Sequence, residues 1–466
     1  MYTFKFGDVS ALTLDERITT PSIHMQKDGN HWYVPLFEGD KDSVVQNGDY
    51  NYTLGGLKVG NLRVAIGREE VEITVVVSKV FSTPYTTWVL TQDGELYGCG
   101  NNNNGEQGSA DTNNVKTFTK RAENVKDVSC SQYTTWYIDN NNDLYGCGQN
   151  GDGQQGSGST SSVRAFTKRA ENVKVVSCSI DTTWYIDNDN NLYGCGDGIC
   201  QGSGGRNDVL TFTKRAENVK EIKCSQYTTW YIDNNNDLYG CGYNGNGNLG
   251  NGSTSNVYTF TKRAENVKDV SCSQYTTWYI DNNNDLYGCG YNGNGQQGSG
   301  STSNVYTFTK RAENVKAVSC SRYTTWYIDN NNDLYGCGYN GNGQQGSGDT
   351  DVNANVKTFT KRAENVKEVF DCEDITFYLD NNNNLYGCGY NGNGNLGIGD
   401  TNNVLTFTKC VENVKDVSFS GNTNWYIDND NNLYSCGSNF YHNQGVENTD
   451  TSKVLTFTKK VIYKNI

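Results

Sequence analysis

The sequence predicts an all-β protein in which a long repeat array follows a small N-terminal β domain. Three observations carry this. One segment recurs eight times from Val77 onward, anchored on Trp88, Trp136, Trp184, Trp230, Trp278, Trp326, Phe377 and Trp425. The anchors are evenly spaced, but for a slightly short step from Trp184 to Trp230 and a slightly long one from Trp326 to Phe377. Each anchor is followed by Leu-Tyr-Gly-Cys-Gly or a close variant. Helical periodicity is absent throughout. A fixed period of about 48 residues marks units that stack or close into a circle, each burying its apolar face on the next.

The segment before Val77 does not repeat. Met1-Tyr-Thr-Phe-Lys-Phe6, Trp32–Phe37, Tyr50–Leu54, Leu62–Ile66 and Val71–Val77 read as strands, with turn signals at Lys27–Asn30 and Gln46–Asp49. The expectation is a small β domain over residues 1–76, a sandwich or barrel, and a repeat domain over residues 77–466.

One unit, Val267 to Glu313, shows how the rest reads. Val267–Ser273 alternates apolar and polar residues as a half-buried strand does. Thr276–Ile280 is dense in β-branched and aromatic residues and reads as a second strand. Asp281–Asp285 is a turn, because Asn and Asp bond their own main chain and tolerate left-handed backbone. Leu286–Cys289 is a third strand, a Gly- and Asn-rich loop runs to Asn304, and Val305–Lys310 is a fourth. Four short strands per unit describe a propeller blade. Eight blades are counted, with seven blades and a packed extra unit as the alternative. The fourth strand ends in Lys-Arg in most copies, as at Lys310 and Arg311, where charge guards an outer edge against pairing with another chain.

Composition narrows the function classes. There are 38 basic and 52 acidic residues, a net charge of -14, which argues against a nucleic-acid partner. No apolar run approaches the roughly 18 residues of a membrane span. The N-terminus lacks the apolar segment of a signal peptide. Thirteen of the sixteen cysteines follow the repeat: eight in the Leu-Tyr-Gly-Cys-Gly motif or its variant and five at Cys130, Cys178, Cys224, Cys272 and Cys320. Such spacing predicts reduced, packed thiols rather than disulfides or zinc ligands.

Tyr97-Gly-Cys-Gly-Asn-Asn-Asn-Asn-Gly-Glu-Gln-Gly108 and Cys241-Gly-Tyr-Asn-Gly-Asn-Gly-Asn-Leu-Gly250 resemble the repeat of the RCC1 (regulator of chromosome condensation) family, as does Cys388–Gly397. The resemblance runs from about Val77 to Ile466. Two features depart from it: Cys stands where the family has Trp before Gly, and Tyr133 and Tyr275 stand where a His is common. The resemblance implies a propeller, and it implies exchange factors, photoreceptors or interaction modules as function classes. Fold does not fix function. The only insertion visible is three residues near Asp349–Asn355, short of an exchange factor's wedge.

Catalytic and metal chemistry is not signalled. The histidines are His24, His31 and His442, none in a nucleophile context. Gly293-Asn-Gly-Gln-Gln-Gly298 matches a nucleotide-loop pattern but leads to a strand, not a helix. Asp139–Asp143 and its copies have alternating oxygens but lack the Gly and Glu that complete a calcium loop. No catalytic residue, metal or cofactor is expected.

Candidate partner-binding residues come from two patterns. Tyr243, Tyr291, Tyr339 and Tyr390 share one loop position among Gly, Asn and Gln, the composition of adaptable recognition surfaces; the alternative is packing against the next blade. Three residues before the anchoring aromatic, Asp181, Asp374 and Asn422 replace the usual Tyr, and the eighth unit adds Phe440 and Tyr441. These deviations either seal the ring and meet the N-terminal domain, or contact a partner. The expectation is a non-enzymatic binding or structural protein displaying a repetitive surface. The order of domains resembles bacteriophage fibre and capsid-decoration proteins, with virion proteins or a host surface receptor as partners and the virion or cytoplasm as location. The alternative is a small-GTPase regulator or an intracellular interaction scaffold.

Overall fold

The computed structural model describes residues 72–349, 355–445 and 453–464, together with seven short strands between residues 2 and 63. The chain forms two units. One comprises Met1–Val76, Thr91–Asp93 and Val461–Ile466; the other comprises Val77–Leu90 and Gly94–Lys460.

The larger unit is eight four-stranded antiparallel sheets, so the chain has eight blades rather than seven. In blade five the strands are Val267–Cys272, Thr276–Asp281, Leu286–Gly290 and Val305–Ala312, hydrogen-bonded in that order. First strands of consecutive blades lie against one another, and Val414–Phe419 of blade eight meets Val77–Ser82 of blade one, closing the circle. Among the described residues the only helix is the single 3-10 turn Gly198–Cys200.

Apolar patterning decides where the core lies. Trp230, Ile232 and Leu238 of blade four pack on Val267, Val270 and Tyr279 of blade five, and the same cluster recurs around the ring. The core is therefore shared between neighbours, which is why no unit can bury its face alone. Each anchoring Trp meets, edge to face, a Phe on the outer strand of the next blade, as Trp278 does Phe359 at 5.8 Å. Trp425 of blade eight makes the same contact with Phe118 of blade one, also at 5.8 Å.

All sixteen cysteines are free thiols. The motif cysteines serve the blade seams: Cys289 Sγ donates to the Asn248 carbonyl of the preceding blade at 3.2 Å, and Cys147 to that of Glu106 at 3.3 Å. Burial pushes both thiols well above their ordinary pKa. The outer Lys-Arg pair does more than guard an edge. Lys310 bridges Asp285 at 2.8 Å and Glu313 at 2.7 Å. Arg311 is half-buried beside the next blade, its Nε lacks a hydrogen-bond partner, and burial lowers its pKa.

The Asp-Asn turns are self-contained. Asp281 Oδ1 accepts from the amides of Asn283 at 2.9 Å and Asp285 at 2.8 Å, and Asn284 takes a φ of 64°. The carboxylates spaced for calcium are thus engaged by amides and a lysine. The Gly293–Gly298 loop makes two successive turns, Gly295 N to Asn292 O and Gly298 N to Gly295 O, and leads to a strand.

Among the described residues, the smaller unit has three three-stranded sheets. One joins Tyr2–Lys5, Asn51–Leu54 and Val44–Gln46, and a second Ala11–Asp15, Ser22–Lys27 and Asn30–Pro35. The third joins Tyr463–Lys464, Glu72–Thr74 and Leu62–Arg63. Residues 461–466, assigned from sequence to the repeat domain, thus go with the first unit because Tyr463 pairs opposite Thr74. His24 and His31 lie on adjacent strands of the second sheet, and their side chains lie outside the described residues.

Candidate partner-binding face

Each blade brings two residues to the same end of the propeller. One sits in the turn between the first and second strands, three residues before the anchoring aromatic. The other opens the loop after the third strand. The amide of the second always donates to the carbonyl of the first: Tyr243 to Tyr227 at 2.8 Å, Asp197 to Asp181 at 2.9 Å, Tyr390 to Asp374 at 2.9 Å, Ser438 to Asn422 at 2.9 Å. The two sequence patterns are therefore one set of positions on one rim. Because first strands ring the axis, the turn residues surround the channel mouth.

Local geometry explains the flat aromatic surface. The Tyr243, Tyr291, Tyr339 and Tyr390 hydroxyls cover Gly245, Gly293, Gly341 and Gly392, where a Cβ would collide with the ring. In blades four, five and six the loop tyrosine meets the turn tyrosine of its own blade: Tyr227–Tyr243 at 5.7 Å, Tyr275–Tyr291 at 6.1 Å and Tyr323–Tyr339 at 6.0 Å. These three ring contacts lie within the blade, where the hydrogen-bonded backbone pairing places the two tyrosines side by side. Between blades, Tyr227 and Tyr275 lie 5.9 Å apart. The Arg322 guanidinium lies over Tyr275 at 5.1 Å and over Tyr323 at 4.9 Å.

Carboxylates interrupt the aromatic rim at blades three and seven, which face each other across an eight-membered ring. Burial, then the nearby Asp152 and Asp197 carboxylates, pushes Asp181 up to about 6. Asp374 Oδ1 accepts from Asn342 Nδ2 at 3.1 Å. Burial and Asp374 raise Glu373, against the opposing pull of Arg322. Behind it, Asp371 stands half-buried where five blades have cysteine, with its Oδ1 enclosed, and this desolvation pushes it up to about 7. It crosses to blade six, accepting from the Ser321 amide at 3.0 Å and from the Thr324 hydroxyl.

Blade eight divides its labour. Tyr441 packs edge-on against Tyr85 of blade one at 4.7 Å, and Tyr85 stacks on Tyr133 at 5.6 Å. The Asn422 carbonyl accepts from Asn395 of blade seven at 3.3 Å. Tyr441 and Asn422 thus join blades. Phe440 is different: it is 62% exposed, and its ring contact is Tyr441 at 4.9 Å. Sequence reading did not place Arg322 or the turn tyrosines among the partner-binding residues. The available signal was the position before each turn Tyr, where Gln132, Gln226 and Gln274 give way to Arg322.

The model of the regulator of chromosome condensation (RCC1) repeat matches residues 77–106 and 315–344, the inner three strands of blades one and six with the start of their loops. No curated protein sequence matches significantly. Among solved structures, Prp20p from Saccharomyces cerevisiae, described with its binding to Gsp1p and histones, superposes with a TM-score of 0.54 at 14% identity, covering 72% of this chain and 87% of that one. Yeast RCC1 (Prp20) solved with Kap60 gives 0.54 at 15% identity over 85% and 90% of the two chains. Human WBSCR16 gives 0.52 at 15% identity over 66% and 87%. At these identities the likeness is one of fold.

Proposed function

The chain is an RCC1-repeat β-propeller, and on that premise we propose that it acts as a non-enzymatic protein-binding module whose partner docks on the rim around the channel mouth. One observation carries this reading: the eightfold pattern is broken systematically at that end and hardly at all at the other. At the opposite end the same contact repeats blade after blade, with Lys126 to Asn142, Lys174 to Asn190, Lys268 to Asn284 and Lys316 to Asn332 all at 2.8–2.9 Å. At the mouth, tyrosine pairs occupy blades four to six, carboxylates occupy blades three and seven, and an exposed Phe440 marks blade eight. A single partner must read such asymmetry, and aromatic anchors beside charged groups are what interface hot spots use.

Charge reversal at Asp374 combined with truncation of Phe440 and Tyr441 tests the face. Partner binding should fall while the fold persists; unchanged binding by a folded variant would sink the reading. The finer proposal is a bacteriophage fibre or decoration protein docked through residues 1–76, located on the virion or in the cytoplasm. It rests on the order of a short β unit before a display domain, and detection of the chain in purified particles tests it. Regulation of a small GTPase draws its support from the shared fold, and exchange assays separate it from the first reading. Residues 350–354, which hold most of the insertion noted above, lie outside the described residues.

A further inference from the structure

The arc from blade three to blade seven has a chemistry of its own. Asp181, Tyr227, Tyr275, Arg322, Tyr323 and Glu373 follow one another along it, each within electrostatic or ring contact of the next. We propose that the slot bounded by Asp181, Tyr227 and Tyr275 binds an arginine side chain of an extended protein partner. The proposal rests on the reading that this face docks a protein, and it specifies that partner's chemistry.

The chain supplies its own example of the contact. Arg322 is held over two turn tyrosines from adjacent blades, and its Nε finds no hydrogen-bond partner. The ring faces, rather than a bidentate carboxylate, hold this guanidinium, and a planar weakly hydrated cation suits such a place better than an ammonium. One blade earlier, the residue equivalent to Arg322 is the neutral Gln274, which turns to Gln226 at 2.5 Å. Tyr227 and Tyr275 there form an inter-blade pair 5.9 Å apart, with the neutral Gln274 hydrogen-bonded to Tyr227 where the next blade has a cation. Asp181, which accepts a hydrogen bond from Gln226 and acts electrostatically on Tyr227, supplies the counter-charge. Its carboxylate is half-buried beside Asp152 and Asp197, and burial with mutual repulsion already holds it up to about 6. An incoming cation relieves that repulsion. A glycan would also stack on tyrosines and donate its hydroxyls to the carboxylates, but being neutral it does not relieve their mutual repulsion; the charge pattern favours the basic side chain.

The test titrates the full chain calorimetrically with a ten-residue peptide of alternating Gly and Arg, beside matched Gly-Lys and Gly-Glu peptides. The Gly-Arg peptide should bind several-fold more tightly than Gly-Lys, and Gly-Glu should not bind. Tyr227→Leu and Asp181→Asn, each with an unchanged melting temperature, should weaken Gly-Arg about tenfold. Arg322→Ala should tighten it by vacating Tyr275, whereas the charge-matched Lys174→Ala, on the opposite end, should not. Equal binding of Gly-Arg and Gly-Lys, or indifference to Tyr227→Leu, overturns the proposal, since bulk acidity then explains the result. Failure of the wider reading is seen separately with a photocrosslinking benzoylphenylalanine at position 291. A protein partner that crosslinks there while Gly-Arg does not bind removes the arginine chemistry alone, and absence of both removes both.

Discussion

Trp278 stands directly opposite Gly288 on the neighbouring strand, and its ring fills the space that a Cβ on that glycine would occupy. The same pair recurs as Trp136 with Gly146 and Trp326 with Gly336. The glycine of Leu-Tyr-Gly-Cys-Gly is thus the complement of the anchoring aromatic, which is why the two motifs travel together along the chain.

Gly288→Ala should therefore destabilise the propeller by about 1–3 kcal/mol, the cost of forcing a methyl group into a filled core. Gly151→Ala, at a loop glycine where the nearest group is the Gln149 amide 3.9 Å away, should be close to neutral. Urea denaturation of the two variants makes the comparison.

Glu106 predicts a stabilising substitution. It is 1% exposed, at a position where Gln154 donates to the Ile180 carbonyl of the next blade at 3.3 Å and Gln296 to that of Arg322 at 3.1 Å. Glu106 Oε1 has no partner, and burial raises its pKa from 4.5. A raised folded-state pKa means that the stability tied to the proton is present below about 4.5 and is lost as pH climbs through the folded value. Glu106→Gln should gain about 1–3 kcal/mol at neutral pH, where the unpaired buried group is most costly. The gain should shrink towards pH 4. A gain that is flat across pH would show that desolvation of the carboxylate is not its cause.

Asp371 gives a second pH signature at the seam of blades six and seven. Its pKa is raised from 3.8 to about 7 by burial, so the same sign holds: its contribution is full below about 3.8 and declines as pH rises through about 7. Asp371→Asn should flatten the dependence of stability on pH between about 4 and 7. Melting temperatures across that range, for the parent and the variant, measure it.

The buried motif cysteines predict inertness. Cys195, Cys241 and Cys289 have no exposed surface, and burial holds each thiol above its ordinary pKa, so thiolate is scarce and access is closed. A small alkylating reagent should leave them unmodified in the native chain and label them after unfolding, as mass spectrometry of the digest would show. Labelling of Cys289 at native rates would mean that its seam opens without unfolding.

Much of the fold was legible because the information is local and repeated. The spacing of the anchoring aromatics, the turns and the strand alternation recur from unit to unit, so the strands expected at Thr276–Ile280 and Leu286–Cys289 are found one residue longer, at Thr276–Asp281 and Leu286–Gly290. The strands Ala11–Asp15 and Ser22–Lys27 were missed, having no copy elsewhere to reinforce a weak alternation. Tyr463–Lys464 was misassigned because pairing with Glu72–Thr74, at the far end of the chain, leaves no local trace. At the candidate site, the register of Tyr243 against Tyr227 is a hydrogen bond across a hairpin, visible only once the hairpin exists. Arg322 was overlooked because a single Gln-to-Arg change carries no meaning until Tyr275 of the neighbouring blade is seen beneath it.

Ring closure makes the last prediction. Blade eight is sewn to blade one by the Trp425–Phe118 contact, by Thr87 Oγ1 donating to the Asn443 carbonyl at 2.7 Å, and by the Ser82 amide donating to Ser418 Oγ at 2.8 Å. The two hydrogen bonds close sequence separations of 356 and 336, so they form late and at high loop-closure cost. If the closed ring is the native state, Phe118→Ala must hurt as much as the same change at an internal seam. Phe212, which meets Trp136 at 5.8 Å, is the matched control. Both substitutions should cost about 1–3 kcal/mol, less than a fully buried Phe because each ring is only partly enclosed. Denaturation midpoints compare them directly. A silent Phe118→Ala beside a destabilising Phe212→Ala would mean that the seam between blades eight and one opens in solution. The array would then behave as a solenoid, with unfolding propagating from blade one, rather than as a ring whose blades fail together.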